Sequence, residues 1–146
     1  MKKIIVFTLI LAFCLAFLPS CTMIEKAGQA DILLKDFISA LESGDYETAM
    51  TFVHPDADVT AEGLEKIVSD IKEQHNVDVS AGITIKERTQ LYTRSNLSFS
   101  GETAYQHEIA YTVEIEGKTF DLESVVYEDS NGMGVIYFVI KVSAGF

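Results

Sequence analysis

Tyr105, His107 and Tyr111 stand at odd positions of one alternating segment, so a strand there would turn all three to the same side. A histidine between two tyrosines has the makings of an acid–base or ligand-orienting pocket. Its imidazole can give or take a proton near neutral pH. The plainer reading is that the tyrosines are core aromatics with hydroxyls at the rim and His107 is a hydrogen-bonded core histidine. The alternation puts no acidic residue on that strand face, so nothing fixes the tautomer of His107, and no catalytic residue is assigned. His54-Pro55-Asp56-Ala57-Asp58 gathers one imidazole and two carboxylates within five residues, a donor set able to ligate a divalent cation. Asp and Pro are also ordinary turn and cap residues around a helix end, and on that reading no metal and no cofactor are expected. His75 stands by itself near a helix end, where it complements the dipole. The chain carries no Gly-rich phosphate loop, nucleophile elbow or His-Glu helix pair.

The elements that must hold these residues follow from the apolar spacing. Ile24, Ala27, Leu34, Phe37, Ile38 and Leu41, with Leu33 alongside, fit one stripe of an amphipathic helix, orderly from about Ala30 because Gly28 weakens its first turns. Asp31 and Lys35 are then an i,i+4 pair on its exposed side. Ser43-Gly44 stops that helix, Asp45 caps a second over Tyr46–Val53, and Pro55 ends it. Thr60 caps a third helix, whose buried stripe is Leu64, Ile67, Val68 and Ile71, fraying at His75-Asn76. The period then falls to two. Ile83, Ile85 and Leu91 share one side of a first strand, with Lys86, Arg88 and Gln90 opposite. A second strand, about Glu102–Ile115, puts Tyr105, His107, Ile109, Tyr111, Val113 and Ile115 on one face. Glu116-Gly117 makes a tight hairpin to a third strand over about Lys118–Glu128. After the turn signal Asp129-Ser130-Asn131-Gly132, the segment Val135–Val142 is apolar on both parities and reads as a central strand covered on both faces. Helices first, then a meander of about four antiparallel strands, predicts an α+β domain with its helices on one face of a curved sheet.

The chain opens with Met1-Lys2-Lys3, an apolar run from Ile4 to Leu18, then Pro19-Ser20-Cys21. A charged start, an apolar middle and a small residue at the cut describe a secretory signal peptide. At about 1.5 Å per residue the run reaches only about 22 Å as a helix, short of the roughly 30 Å of a bilayer core. Leu18-Pro19-Ser20-Cys21 resembles the lipobox of bacterial lipoproteins. That resemblance implies cleavage between Ser20 and Cys21, a diacylglycerol on the Cys21 thiol, acylation of the new amino terminus, and a site on the bacterial membrane or envelope facing away from the cytoplasm. Residues 1–20 are then a removed leader, 21–25 a lipidated cysteine and short tether, and 26–146 a single domain. The 126 residues left carry 9 basic against 22 acidic side chains, a formal charge of −13. Such a body repels phosphate backbones, so nucleic acid is not expected as a partner. With Cys14 removed and Cys21 acylated, no free thiol remains for a disulfide, thiolate chemistry or a cysteine metal site.

Asp36-Phe37-Ile38-Ser39-Ala40-Leu41-Glu42-Ser43-Gly44-Asp45-Tyr46-Glu47-Thr48-Ala49-Met50, followed by the meander, resembles the opening of small bacterial lipoproteins with a nuclear-transport-factor-2-like, cystatin-like fold. The resemblance implies a cone-shaped domain in which a bent sheet wraps a helix. It leaves function open, because that fold hosts isomerases, dehydratases, ligand carriers and proteins of other kinds. The expectation is a lipid-anchored, non-enzymatic accessory or ligand-binding domain, whose partner is a small ligand or an envelope protein. The alternatives are a small-molecule enzyme using the cone cavity, and an interaction module that forms a homodimer through its sheet.

Overall fold

A computed structural model describes the backbone of residues 2–97 and 102–143 and the side chains of 22–96 and 102–143. Cys21, Ser20 and the apolar run, as side chains, lie outside that set. Within it are three α-helices and a four-stranded antiparallel sheet of order β1-β2-β3-β4, so the α+β expectation holds. Helix α1 is Lys2–Ser43, α2 Tyr46–Met50 and α3 Ala61–His75. A 3₁₀ turn, Val79–Ala81, precedes β1 Thr84–Leu97, β2 Thr103–Ile115, β3 Lys118–Asp129 and β4 Gly132–Val142. Among the described residues no helix is long and apolar enough to cross a membrane.

Helix α1 passes through Gly28 without a break and buries Ala27, Ala30, Asp31, Leu34, Phe37, Ile38 and Leu41. The expected stripe holds from Ala27 to Leu41; Ile24 is exposed instead, and Asp31, expected on the exposed side, takes a core position one turn after Ala27. Gly44 (φ +70) closes the helix in the left-handed region that favours glycine. Asp45 caps α2 by accepting from the Thr48 amide at 3.0 Å, and Thr60 caps α3 by accepting from Gly63 at 3.1 Å. Helix α2 is shorter than expected, because the chain after Met50 is drawn onto the sheet. Val53 bridges Val135 in parallel, the Val135 amide donates to the Phe52 carbonyl (2.8 Å), and the His54 amide donates to the Val135 carbonyl (3.1 Å). On α3 only Leu64 and Ile71 are fully buried, while Ile67 reaches solvent beside β4.

The β2 alternation is as read, with His107, Ile109, Tyr111, Val113 and Ile115 buried toward the helices. Glu116 (φ 48) and Gly117 (φ 76) make the two-residue turn to β3 with both residues left-handed. Two readings fail because of β-bulges, which insert one unpaired residue and flip the parity beyond it. In β1, register shifts fall between Ile85 and Glu87 and between Arg88 and Gln90. They cancel by Leu91, but Arg88 between them is opposite Tyr111 on the core face rather than on the outer one. In β4, Val125 pairs with Tyr137 and Val126 with Val135, leaving Ile136 unpaired. The core set thus changes from Val135 to Phe138 and Ile140. This explains the double apolar parity without a second covering layer: β4 is an edge strand with Ile136, Tyr137 and Val142 exposed.

Candidate functional site

The structure divides the Tyr105–His107–Tyr111 set into two clusters, and each acquires the carboxylate that this face of β2 lacks. Tyr111 donates to Asp31 Oδ1 on α1 at 2.6 Å, and Asp31 Oδ2 accepts from Lys35 at 2.8 Å. Arg88 Nη1 lies 3.3 Å from Asp31 Oδ1. Burial by itself would raise the Asp31 carboxyl, but Lys35, Tyr111 and Arg88 together outweigh it and hold the group below the usual carboxylate range. Burial first, then the Asp31 charge, pushes the Tyr111 phenol far above its ordinary value. Tyr111 is therefore a fixed hydrogen-bond donor closed off from solvent, a brace between helix and sheet rather than a proton source.

The second cluster gathers around Lys26 of α1. His107 is fully buried, and its Nδ1 is 2.9 Å from Thr93 Oγ1 on β1. Glu128 comes from β3, opposite Tyr105 and on the same face as Leu122 and Val126. Its Oε1 accepts from Lys26 of α1, and its Oε2 faces His107 Nε2 across 3.9 Å. Neither His107 Nε2 nor Glu128 Oε2 has a hydrogen-bond partner, although both atoms are buried. The Tyr105 ring lies almost parallel to the imidazole, with centroids 6.4 Å apart, and the Lys26 ammonium sits 4.7 Å over the tyrosine ring. Burial, opposed by Glu128 and assisted by Lys26, depresses the proton affinity of His107 below its ordinary value of 6.5.

The His54 loop is assembled differently from its sequence appearance. His54, Asp56 and Asp129 bring one donor atom each to within 4.8 Å of one another; Asp129 of β3, and not Asp58, completes the group. The Asp56 amide donates to His54 Nδ1 at 3.2 Å, and an amide can only donate. The neutral ring therefore carries its proton on Nε2, which donates to Asp129 Oδ1 at 3.2 Å. Both ring nitrogens are used, so a cation would have to displace one of these bonds. The group is a strap that ties the α2–α3 connection to the β3–β4 turn. His75 packs on Phe120 with centroids 5.5 Å apart, and its carbonyl accepts from Lys118.

The sequence reading placed Asp31 on the exposed side and gave Glu128 no role, though a signal for each exists. Ala27, Asp31, Leu34 and Ile38 follow helical spacing, and Glu128 shares parity with Phe120, Leu122 and Val126. Arg88 had no such signal.

Of the hollows that open to solvent among the described residues, two border β4. One, of about 330 Å³, lies on the outer sheet face over Ala110, between Gln90, Glu108, Glu123 and Tyr137. Its carboxylates are already engaged, Glu108 by Arg94 and Glu123 by Lys141. The other, of about 180 Å³, is an apolar notch between α1, α3 and β4, with Phe37, Leu64, Ile67, Ile136, Tyr137 and Phe138 in its wall. Compared with family models, curated proteins and solved structures, the chain matches none.

Proposed function

We propose that this is a lipid-anchored, non-enzymatic accessory domain of the bacterial envelope, built on a nuclear-transport-factor-2-like cone, which holds an extended segment of another envelope protein along the free edge of β4. The observation that carries this reading is the position of the exposed apolar side chains: Ile67, Ile136 and Tyr137 all border the notch beside that edge. Small-molecule pockets run from about 300 to 1,000 Å³. At about 180 Å³ the notch suits one leucine- or phenylalanine-sized side chain instead. Beyond Val135 the edge of β4 pairs with no other strand among the described residues, so its amides and carbonyls are available to a fifth strand. The formal charge of −13 on the mature chain favours a segment with lysine or arginine flanking its apolar anchor.

Enzymatic use of the β2 residues would require a substrate to reach His107 and Tyr111, and both are closed off by the helices. Homodimerisation through the same edge fits the anchor poorly. Antiparallel β4–β4 pairing reverses one copy, which would send the two Cys21 anchors to opposite ends of the pair.

The test is photo-crosslinking in intact cells, with a photoreactive residue at Ile136 or at Glu87 on the opposite edge strand. The expected result is an adduct at position 136 that is absent at 87 and lost in Tyr137→Asp. Mass spectrometry should place the adduct on an extended, apolar-and-basic segment. Equal adducts from both edges would overturn the docking. Detergent partitioning tests the anchor separately, since Cys21→Ser protein should leave the detergent phase.

A further inference from the structure

Two buried polar atoms without partners, facing each other across 3.9 Å, require an explanation. His107 Nε2 and Glu128 Oε2 are too far apart for a hydrogen bond, yet close enough that a proton on Nε2 and a small turn of Glu128 would create one. Glu128 is already held by Lys26 through its other oxygen. We propose that Lys26, Glu128 and His107 form an acid-released latch, in which proton uptake by His107 draws Glu128 to the imidazole and frees Lys26, loosening the first mature turns of α1 from the sheet.

The order of events follows from which cation can reach water. The groups facing His107 are Lys26 from α1, Thr93 from β1, Tyr105 on its own strand, and Glu128 with Val126 from β3. Only Glu128 among them is an anion. A protonated imidazole that is wholly buried has no other counter-charge and no access to solvent. Lys26 is different, being about a quarter exposed on a flexible four-carbon stem. When two cations converge on one carboxylate in a dry site, the one that can be hydrated leaves. The depressed proton affinity of His107 places the transition on the acid side of 6.5.

Release would act where it matters mechanically. Further along α1, Asp31 is tied to Tyr111 and Arg88, and Glu42 to the Ile83 amide. Losing Lys26–Glu128 therefore loosens α1 around Lys26, five residues beyond Cys21, and leaves those ties and the body in place. The latch needs no lipid, so it stands or falls independently of the anchor.

The experiment is amide exchange of the full chain in detergent, followed by mass spectrometry over residues 24–30 and corrected for intrinsic rates. Protection should fall at least tenfold between pH 7.5 and pH 5 in the wild type and stay level in His107→Gln, with the segment around Phe37–Leu41 unchanged in both. An imidazole titration by NMR supplies the second arm. The His107 midpoint should move up in Lys26→Met, which removes a repelling charge, and down in Glu128→Gln, which removes the attracting one. A wild type whose helix root is equally protected at both pH values would overturn the latch. So would an equal loss in His107→Gln, or midpoints that shift in the reverse order.

Discussion

The molecule buries two histidines, His54 and His107, and treats them in opposite ways. His54 spends both ring nitrogens, one accepting from the Asp56 amide and the other donating to Asp129. Its backbone is also fastened to Val135. His107 spends one nitrogen on Thr93 and leaves the other without a partner beside an equally unpartnered carboxylate oxygen. Burial by itself therefore says little about a histidine's role. A fully satisfied ring is a brace and resists change, whereas a half-satisfied one has somewhere to put a proton.

Three measurements press on that contrast. The largest effect is expected at Gly134, where a Cβ would collide with the backbone of Val53 and His54. Gly134→Ala should force the His54 strap off β4 and cost about 3 kcal/mol in a urea melt of the full chain. A cost under about 1 kcal/mol would mean the strap is not held closely. Next comes the direct comparison. His54→Leu leaves Asp129 and the Asp56 amide without their partner and should cost about 2 kcal/mol. His107→Leu removes one bond but also one unpaired nitrogen, so at pH 7.5 it should cost less than about 1 kcal/mol. Equal costs would erase the distinction between the two rings.

The smallest effect is the pH dependence contributed by His107. Its folded proton affinity lies below the unfolded value of 6.5, so the unfolded chain binds the extra proton more readily. The stability contribution is complete above pH 6.5, drains as pH falls through that value, and levels off once the folded form is protonated too. Melts at stepped pH should show this component in the wild type and lose it in His107→Gln. An unchanged profile in that variant would assign the acid sensitivity elsewhere.

How much of this was legible depends on how local the cause is. The caps at Asp45 and Thr60, the stop at Gly44 and the turn at Glu116-Gly117 each depend on residues within a few positions, and all four are where the sequence puts them. The single face of β2 is equally plain, because alternation is a local property of an extended chain. Parity broke down where one residue slips in the pairing. The bulges that turn Arg88 inward and leave Ile136 unpaired depend on neighbouring strands, and no window of sequence contains both partners. That is why the apolar β4 read as central and proved to be an edge.

The same division governs the candidate site. The sequence by itself determined the helix-then-meander order, the acidic body, the absence of a thiol after Cys21, and which residues of β2 share a face. It could not supply their partners. Asp31 meets Tyr111 across 80 residues, and Asp129 meets His54 across 75. Glu128 comes beside His107 only because β3 returns next to β2 in one register. Tertiary structure decided which carboxylate each ring meets, and so which ring has both nitrogens engaged and which leaves one without a partner. The physical reason is that hydrogen bonds and charge pairs act over a few ångströms of space, whereas sequence records proximity only along the chain.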